Sequence, residues 1–288
     1  MKKYIFVGNR FHVLKTMLEN GIQPVKILTI KDSFLEKELK KTSTDFSLLE
    51  NKEHLCDLLS STKFDCLISN GCPFIIPVTT LKKPNQIFAN VHPSFLPDLK
   101  GRNPVNGAIL YNRPAGATCH IMDDNIDTGP IIARIKIPLT ADIDLGLLYQ
   151  LAFMAEKEVF LNSLKKKFIP EKNSYYPGND SLFIYYTRKE NDRVINFNEC
   201  TEKIIRRIKA FGIASQGAYF NFHGNTFYVL DAEEIINTYL TSKLENYADL
   251  EIAFVYSNTI VIRKENVFLK LKGIIGEMSK FETGKKLY

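Results

Sequence analysis

The sequence predicts an α/β protein: a mostly parallel sheet flanked by helices, followed by a smaller β-rich unit. Three observations predict it. The first half alternates short apolar runs with amphipathic stretches, the pattern of parallel βαβ units. Residues 170–180, dense in Pro, Gly, Asn and Ser, read as a linker after a long helix-like stretch. Beyond it, short strand-like runs follow one another.

In chain order, residues 4–7 read as a first strand and Gly8-Asn9-Arg10 as the turn after it. Phe11, Leu14, Met17 and Leu18 then recur at helical spacing. Residues 25–30 read as a second strand, and the polar stretch 32–51 carries no clear period. A helix over 52–60 leads into a strand over 66–69 and the turn Asn70-Gly71-Cys72-Pro73. A short helix near 76–81 precedes a strand over 86–91.

Residues 105–111 read as helix, and 117–122 and 131–137 as strands around an acidic, Gly-containing turn. Residues 145–164 form a long amphipathic helix with Leu148, Leu151, Ala152, Ala155 and Val159 turned inward. After the linker come a helix near 201–211 and strands at 218–222, 226–230, 250–256, 259–263 and 267–271. The expected division is a domain over 1–169 and a smaller one over 181–288.

Composition narrows the functional classes. At 45% hydrophobic content the 288 residues can bury a large core, while no run approaches membrane-spanning length and the N-terminus does not read as a signal peptide. A cytoplasmic protein is expected. The five cysteines form no Cys-x-x-Cys pair and no zinc spacing with His, so neither disulfides nor a metal site is expected. The net charge of +6 is spread over short Lys runs, compatible with an anionic ligand.

Asn90 and His92 stand where an apolar run meets a Pro-rich loop. In an extended strand, residues i and i+2 share a face, so the carboxamide and the imidazole look out together. Ligands of open α/β sheets bind outside the carboxyl ends of strands, and this pair sits at one. An acidic turn containing Asp127 follows. On pattern alone, catalytic and structural roles for His92 stand level. His12, His54 and His223 read as structural, as does His120, which lies near the acidic turn in sequence.

Four blocks change that balance: Asn90-Val91-His92-Pro93-Ser94-Phe95-Leu96-Pro97, Gly101-Arg102-Asn103-Pro104, the run from Gly116 to Asp123, and Asp127-Thr128-Gly129-Pro130-Ile131-Ile132. Their order and spacing resemble the 10-formyltetrahydrofolate-dependent formyltransferases. The resemblance implies a Rossmann-like formyltransferase fold and a catalytic trio of Asn90, His92 and Asp127. It further implies a folate co-substrate held mainly by backbone groups around Gly71, Cys72, Pro73 and Phe74 and around Asp123, Asp124 and Asn125. In that chemistry an amine attacks the formyl carbon. Asn90 suits the oxygen that gains negative charge, and a histidine and a carboxylate suit the proton that must move. Whether His92 is the base or a polarising cation stays open.

Gly-Arg-Asn-Pro at 101–104, followed by Asn106, looks like the branch that formylates amino sugars on nucleotide carriers. That resemblance implies a dTDP-linked amino-dideoxy sugar acceptor, used in surface-polysaccharide or O-antigen synthesis. Asn9, Arg10, Ser94, Arg102 and Asn103 are the expected contacts to it. Tyr219 or Phe222 is a further candidate to stack a base. Methionyl-tRNA formyltransferases are the alternative, although the first domain shows no dense Lys/Arg insertion and no nucleic-acid partner is expected. The strand-rich second domain suggests a homodimer.

Overall fold

The computed structural model describes residues 2–172 and 182–287. Residues 173–180 of the expected linker lie outside the described residues. The chain forms two compact units that interleave in sequence: Met1–Pro104, Pro114–Pro138 and Gln150–Tyr186 make one, and Val105–Arg113, Leu139–Tyr149 and Thr187–Tyr288 the other.

The first unit is built on strands β1 (Tyr4–Gly8), β2 (Lys26–Ile30), β3 (Ser47–Leu49), β4 (Cys66–Asn70), β5 (Ile87–His92), β6 (Ala115–Ile121) and β7 (Ile131–Ile137). They pair in the order β3-β2-β1-β4-β5-β6-β7, parallel from β3 to β5 and antiparallel across β6 and β7. After β3 the chain returns to the other side of β1, so the strand order reverses between β1 and β4, where α/β sheets open a crevice. Every residue of β1 and β4 is buried, as expected of central parallel strands. Ile5, Val7, Leu28, Leu67 and Phe88 pack with Leu55 and Leu59 of a helix over Lys52–Ser61. Asn51 caps that helix by accepting from the His54 N–H at 2.8 Å.

Three features depart from the sequence expectations. The featureless stretch 32–51 carries the helix Phe34–Leu39 and β3. Ser33 caps this short helix, accepting from the Glu36 N–H at 3.0 Å, so a cap rather than an apolar period specifies it. Phe11 is the N-cap of the helix His12–Glu19 rather than its first turn.

The second unit gives the third departure, a strand of sequence Asp-Ala-Glu-Glu-Ile. This unit contains a helix over Thr201–Ala210, the hairpin β8 (Ala218–Phe222) and β9 (Asn225–Val229), and strands β10 (Asp231–Ile235), β11 (Ile252–Tyr256), β12 (Thr259–Lys264) and β13 (Val267–Lys272) in the order β10-β13-β12-β11. In β10, Asp231 lies opposite Lys272 and Glu233 opposite Lys270, with ion pairs of 2.6 and 3.1 Å. Its charges make sense only beside its partner. Asn106, on the helix Pro104–Leu110, is fully buried and donates to the Ala210 carbonyl and to Gln216 Oε1 at 2.7 and 2.8 Å, while Tyr149 donates to its oxygen. Its task is to join segments within this unit. Among the described residues no helix is long and apolar enough to cross a membrane.

Candidate active site

The carboxyl end of β5 carries Asn90 and His92, and the antiparallel β6 sets His120 directly opposite Asn90. The turn after β6 brings Asp127 back over the pair with φ at +54°, a left-handed conformation that Asp tolerates. Gly129 makes the return possible, since a Cβ there would meet the Ile121 carbonyl at 1.9 Å. Gly101, at φ +104°, donates its N–H to Asp127 Oδ2 at 2.9 Å.

Around Asp127 the polar atoms converge. Asn90 Nδ2 donates to Asp127 Oδ1 at 3.2 Å and approaches His120 Nε2 at 3.3 Å. His92 Nδ1 lies 3.6 Å from Asp127 Oδ2, and His120 Nε2 lies 3.5 Å from Oδ1. His92 Nε2 meets the Leu99 carbonyl at 3.1 Å, and His120 Nδ1 the Ile121 carbonyl at 2.8 Å. Both ring nitrogens of His92 thus face acceptors.

The charges follow from this geometry. Burial works against ionising Asp127, but His92, His120 and the Gly101 N–H outweigh it and hold the carboxyl well below the usual carboxylate range. Burial pushes His92 down; Asp127 and the Leu99 carbonyl pull it back, while His120 and Arg10 add to the depression, and the net shift is downward. The site is a buried carboxylate bracketed by two imidazoles and a carboxamide, able to stabilise developing charge and to hold or move one proton.

Two family profiles match the chain. Formyl transferase covers residues 25–164, and Formyl transferase, C-terminal domain, covers residues 188–277. The chain belongs to the formyl transferase family. Among its relatives is a methionyl-tRNA formyltransferase from Syntrophus aciditrophicus, 27% identical over 62% of this chain and 57% of that protein, so the match spans little more than half of the relative's length. Another methionyl-tRNA formyltransferase, from Geobacillus, is 22% identical over 82% of this chain and 79% of that one. An N-formyltransferase from Helicobacter canadensis, solved in complex with folinic acid and dTDP-3-aminofucose, has a TM-score of 0.70 at 18% identity, covering 94% of this chain and 99% of that one. The fold is shared with this formyltransferase.

The other residues singled out from sequence fall into separate groups. In this formyl transferase Asp124 of the acidic turn accepts from the Thr79 N–H at 3.0 Å and from its hydroxyl, on the short helix Val78–Leu81, and Cys72 and Phe74 of the turn after β4 pack with Met122 on one apolar cluster. Those hydrogen bonds pull the exposed Asp124 below its ordinary value. Gly71 takes φ +74°, with the side-chain stem of Arg10 against it. Pro73 is half-buried and Asn125 exposed. Asp123 accepts from Thr128 at 2.7 Å and from the Asn125 N–H at 3.1 Å, which shapes its own turn. Burial pushes the Cys72 thiol up to about 11.

The expected acceptor contacts are dispersed. Arg102 is exposed and Asn103 half-buried, immediately after Gly101, whereas Ser94 is buried with its hydroxyl unpartnered among the described residues. Arg10 is engaged by Glu156, and the Asn9 side-chain oxygen is buried without a partner among the described residues. Phe222 is in the core of the second unit, stacked on Phe281 at 5.5 Å, and Arg193 lies over the Tyr219 ring at 5.5 Å.

Sequence reasoning missed two members of these groups. His120 was readable as a structural histidine; only the β5–β6 register puts it beside Asn90. Glu156 carried a usable signal, because it interrupts the inward stripe of Ala152, Ala155 and Val159 on the long helix Leu145–Lys165.

Proposed function

We propose that the protein transfers the formyl group of 10-formyltetrahydrofolate to the amine of an amino-dideoxy sugar carried on a nucleotide, dTDP being the carrier, for surface-polysaccharide synthesis in the cytoplasm. Residues 1–169 form the transferase domain in this reading, and residues 181–288 the smaller domain through which a homodimer assembles. The observation that carries formyl transfer is the convergence of Asn90, His92 and His120 on an ionised, buried Asp127.

In the transfer, a bond forms between the acceptor nitrogen and the formyl carbon, the bond from that carbon to the folate nitrogen breaks, and one proton passes from the first nitrogen to the second. Asn90 donates to the oxygen on which charge develops, giving up one of its internal partners to do so. His92, with acceptors at both nitrogens, serves better as a hydrogen-bond donor that polarises than as a free base. Asp127 keeps the imidazoles oriented and pulls against the burial that depresses His92. The turn at 71–74 and the acidic turn at 123–125, brought together where Cys72, Phe74 and Met122 pack on one apolar cluster, form the proposed folate cradle.

The sugar acceptor draws support from the exposed Arg102 beside Gly101, suited to a diphosphate, and from the near full-length fit of the Helicobacter canadensis enzyme. A second reading, methionyl-tRNA formylation, is favoured by the curated relatives of that name. An acceptor panel at fixed formyl donor separates them: dTDP-3-amino and dTDP-4-amino sugars, UDP-4-amino-arabinose, glycinamide ribonucleotide and methionyl-tRNA. A nucleotide sugar is the expected substrate. Formylation of the tRNA and of no sugar would overturn the assignment.

A further inference from the structure

Behind the catalytic strand lies a carboxylate that the transfer itself does not use. Glu156 has no exposed surface. Its Oε1 accepts from Arg10 Nη1 and from Asn70 Nδ2, the latter at 3.0 Å, while Oε2 is buried without a partner among the described residues. Asn70 Nδ2 also donates to the Val91 carbonyl at 2.9 Å, and Val91 stands between Asn90 and His92. The Asn9 N–H donates to the Asn70 carbonyl at 3.2 Å. One buried carboxylate therefore gathers the carboxyl ends of β1 and β4 and, through Asn70, the backbone of β5.

Stability does not account for it. Burying an ion pair costs about as much as it returns, and well-packed apolar residues often do as well. Arg10, moreover, is close enough to His92 for its charge to depress the imidazole. We propose that Glu156 is a positioning residue of this transferase: it cancels the charge of Arg10 and clamps Asn70 to the strand that carries Asn90 and His92. The proposal rests on the reading of Asn90, His92 and Asp127 as the transfer centre.

The groups that act on His92 are Asp127, His120, Arg10 and the Leu99 carbonyl; at Glu156 burial pushes the carboxyl up while Arg10 and Asn70 pull it back, and the net shift is upward. Glu156→Gln keeps an acceptor for Asn70 but leaves Arg10 uncompensated. Followed by NMR in the full chain, the His92 titration should move down by about half a unit in this variant. Formyl-transfer kcat should fall roughly tenfold, with KM for both substrates within about twofold. Unchanged titration together with unchanged kcat would overturn the proposal.

A variant in which the pair is made apolar, Arg10→Met with Glu156→Leu, guards against a misfolded single variant. It should fold, restore the His92 titration to at least its starting value, and still turn over about tenfold slowly because Asn70 has lost its acceptor. Wild-type turnover by this double variant would also overturn the proposal. A shifted His92 titration in a protein whose wild type transfers no formyl group would keep the coupling and overturn the reading beneath it.

Discussion

The unit built on the seven-stranded sheet buries Glu36, His92, Asp98, His120 and Glu156, whereas Lys264 is the one charged or imidazole side chain buried among the described residues of the other unit. In the second unit the interior is held by rings: Phe220 and Phe227 lie 5.7 Å apart, and Phe227 and Phe281 4.6 Å. Buried ionisable groups are costly unless paired, so a unit that keeps five of them, His92 and His120 on adjacent strands among them, is shaped by something other than stability. The contrast supports the proposal that the chemistry sits in the unit that carries Asn90, His92 and Asp127.

The sharpest way to break that contrast is Asp127→Asn. It removes the charge on which two imidazoles and the Asn90 amide converge, and kcat for formyl transfer should fall by about 10²–10⁴-fold while circular dichroism stays native. A loss within about threefold would mean that the buried cluster is structural. Phe227→Ala is the counterpart in the second unit. It should cost about 3–5 kcal/mol in denaturant unfolding and leave the transfer step of the folded enzyme unchanged. An intact fold with a lost transfer step would put chemistry in that unit too.

Arg102→Ala tests the exposed rim of the site. The acceptor KM should rise about tenfold with little change in kcat, the loss of one charge-assisted contact. The smallest effect is on pH dependence. His92 titrates lower in the fold than its ordinary value of about 6.5, so within that window the unfolded chain holds the extra proton and stability falls as pH falls. Urea midpoints from pH 8 to 5 should drop less steeply for His92→Gln than for wild type; equal slopes would place the ring in a solvent-like environment.

Much of this arrangement was legible in the sequence. The period-two spacing of Asn90 and His92 put both at one strand end, and the parallel βαβ pattern put that end where ligands bind. What escaped depended on partners remote in sequence. His120 gains its place from strand register, β10 from the lysines of β13, and the Phe34–Leu39 helix from a serine cap too local to show as a period. Arg10 looked free for a ligand because Glu156 lies 146 positions away along the chain.

The central claim is that His92 and Asp127 act as one device. Single-turnover formyl transfer, measured for wild type, His92→Gln, Asp127→Asn and the double variant, tests it directly. The double variant should be no more than about threefold slower than the slower single variant, because either substitution already disables the shared function. Losses that multiply in the double variant would show two independent residues and contradict the claim.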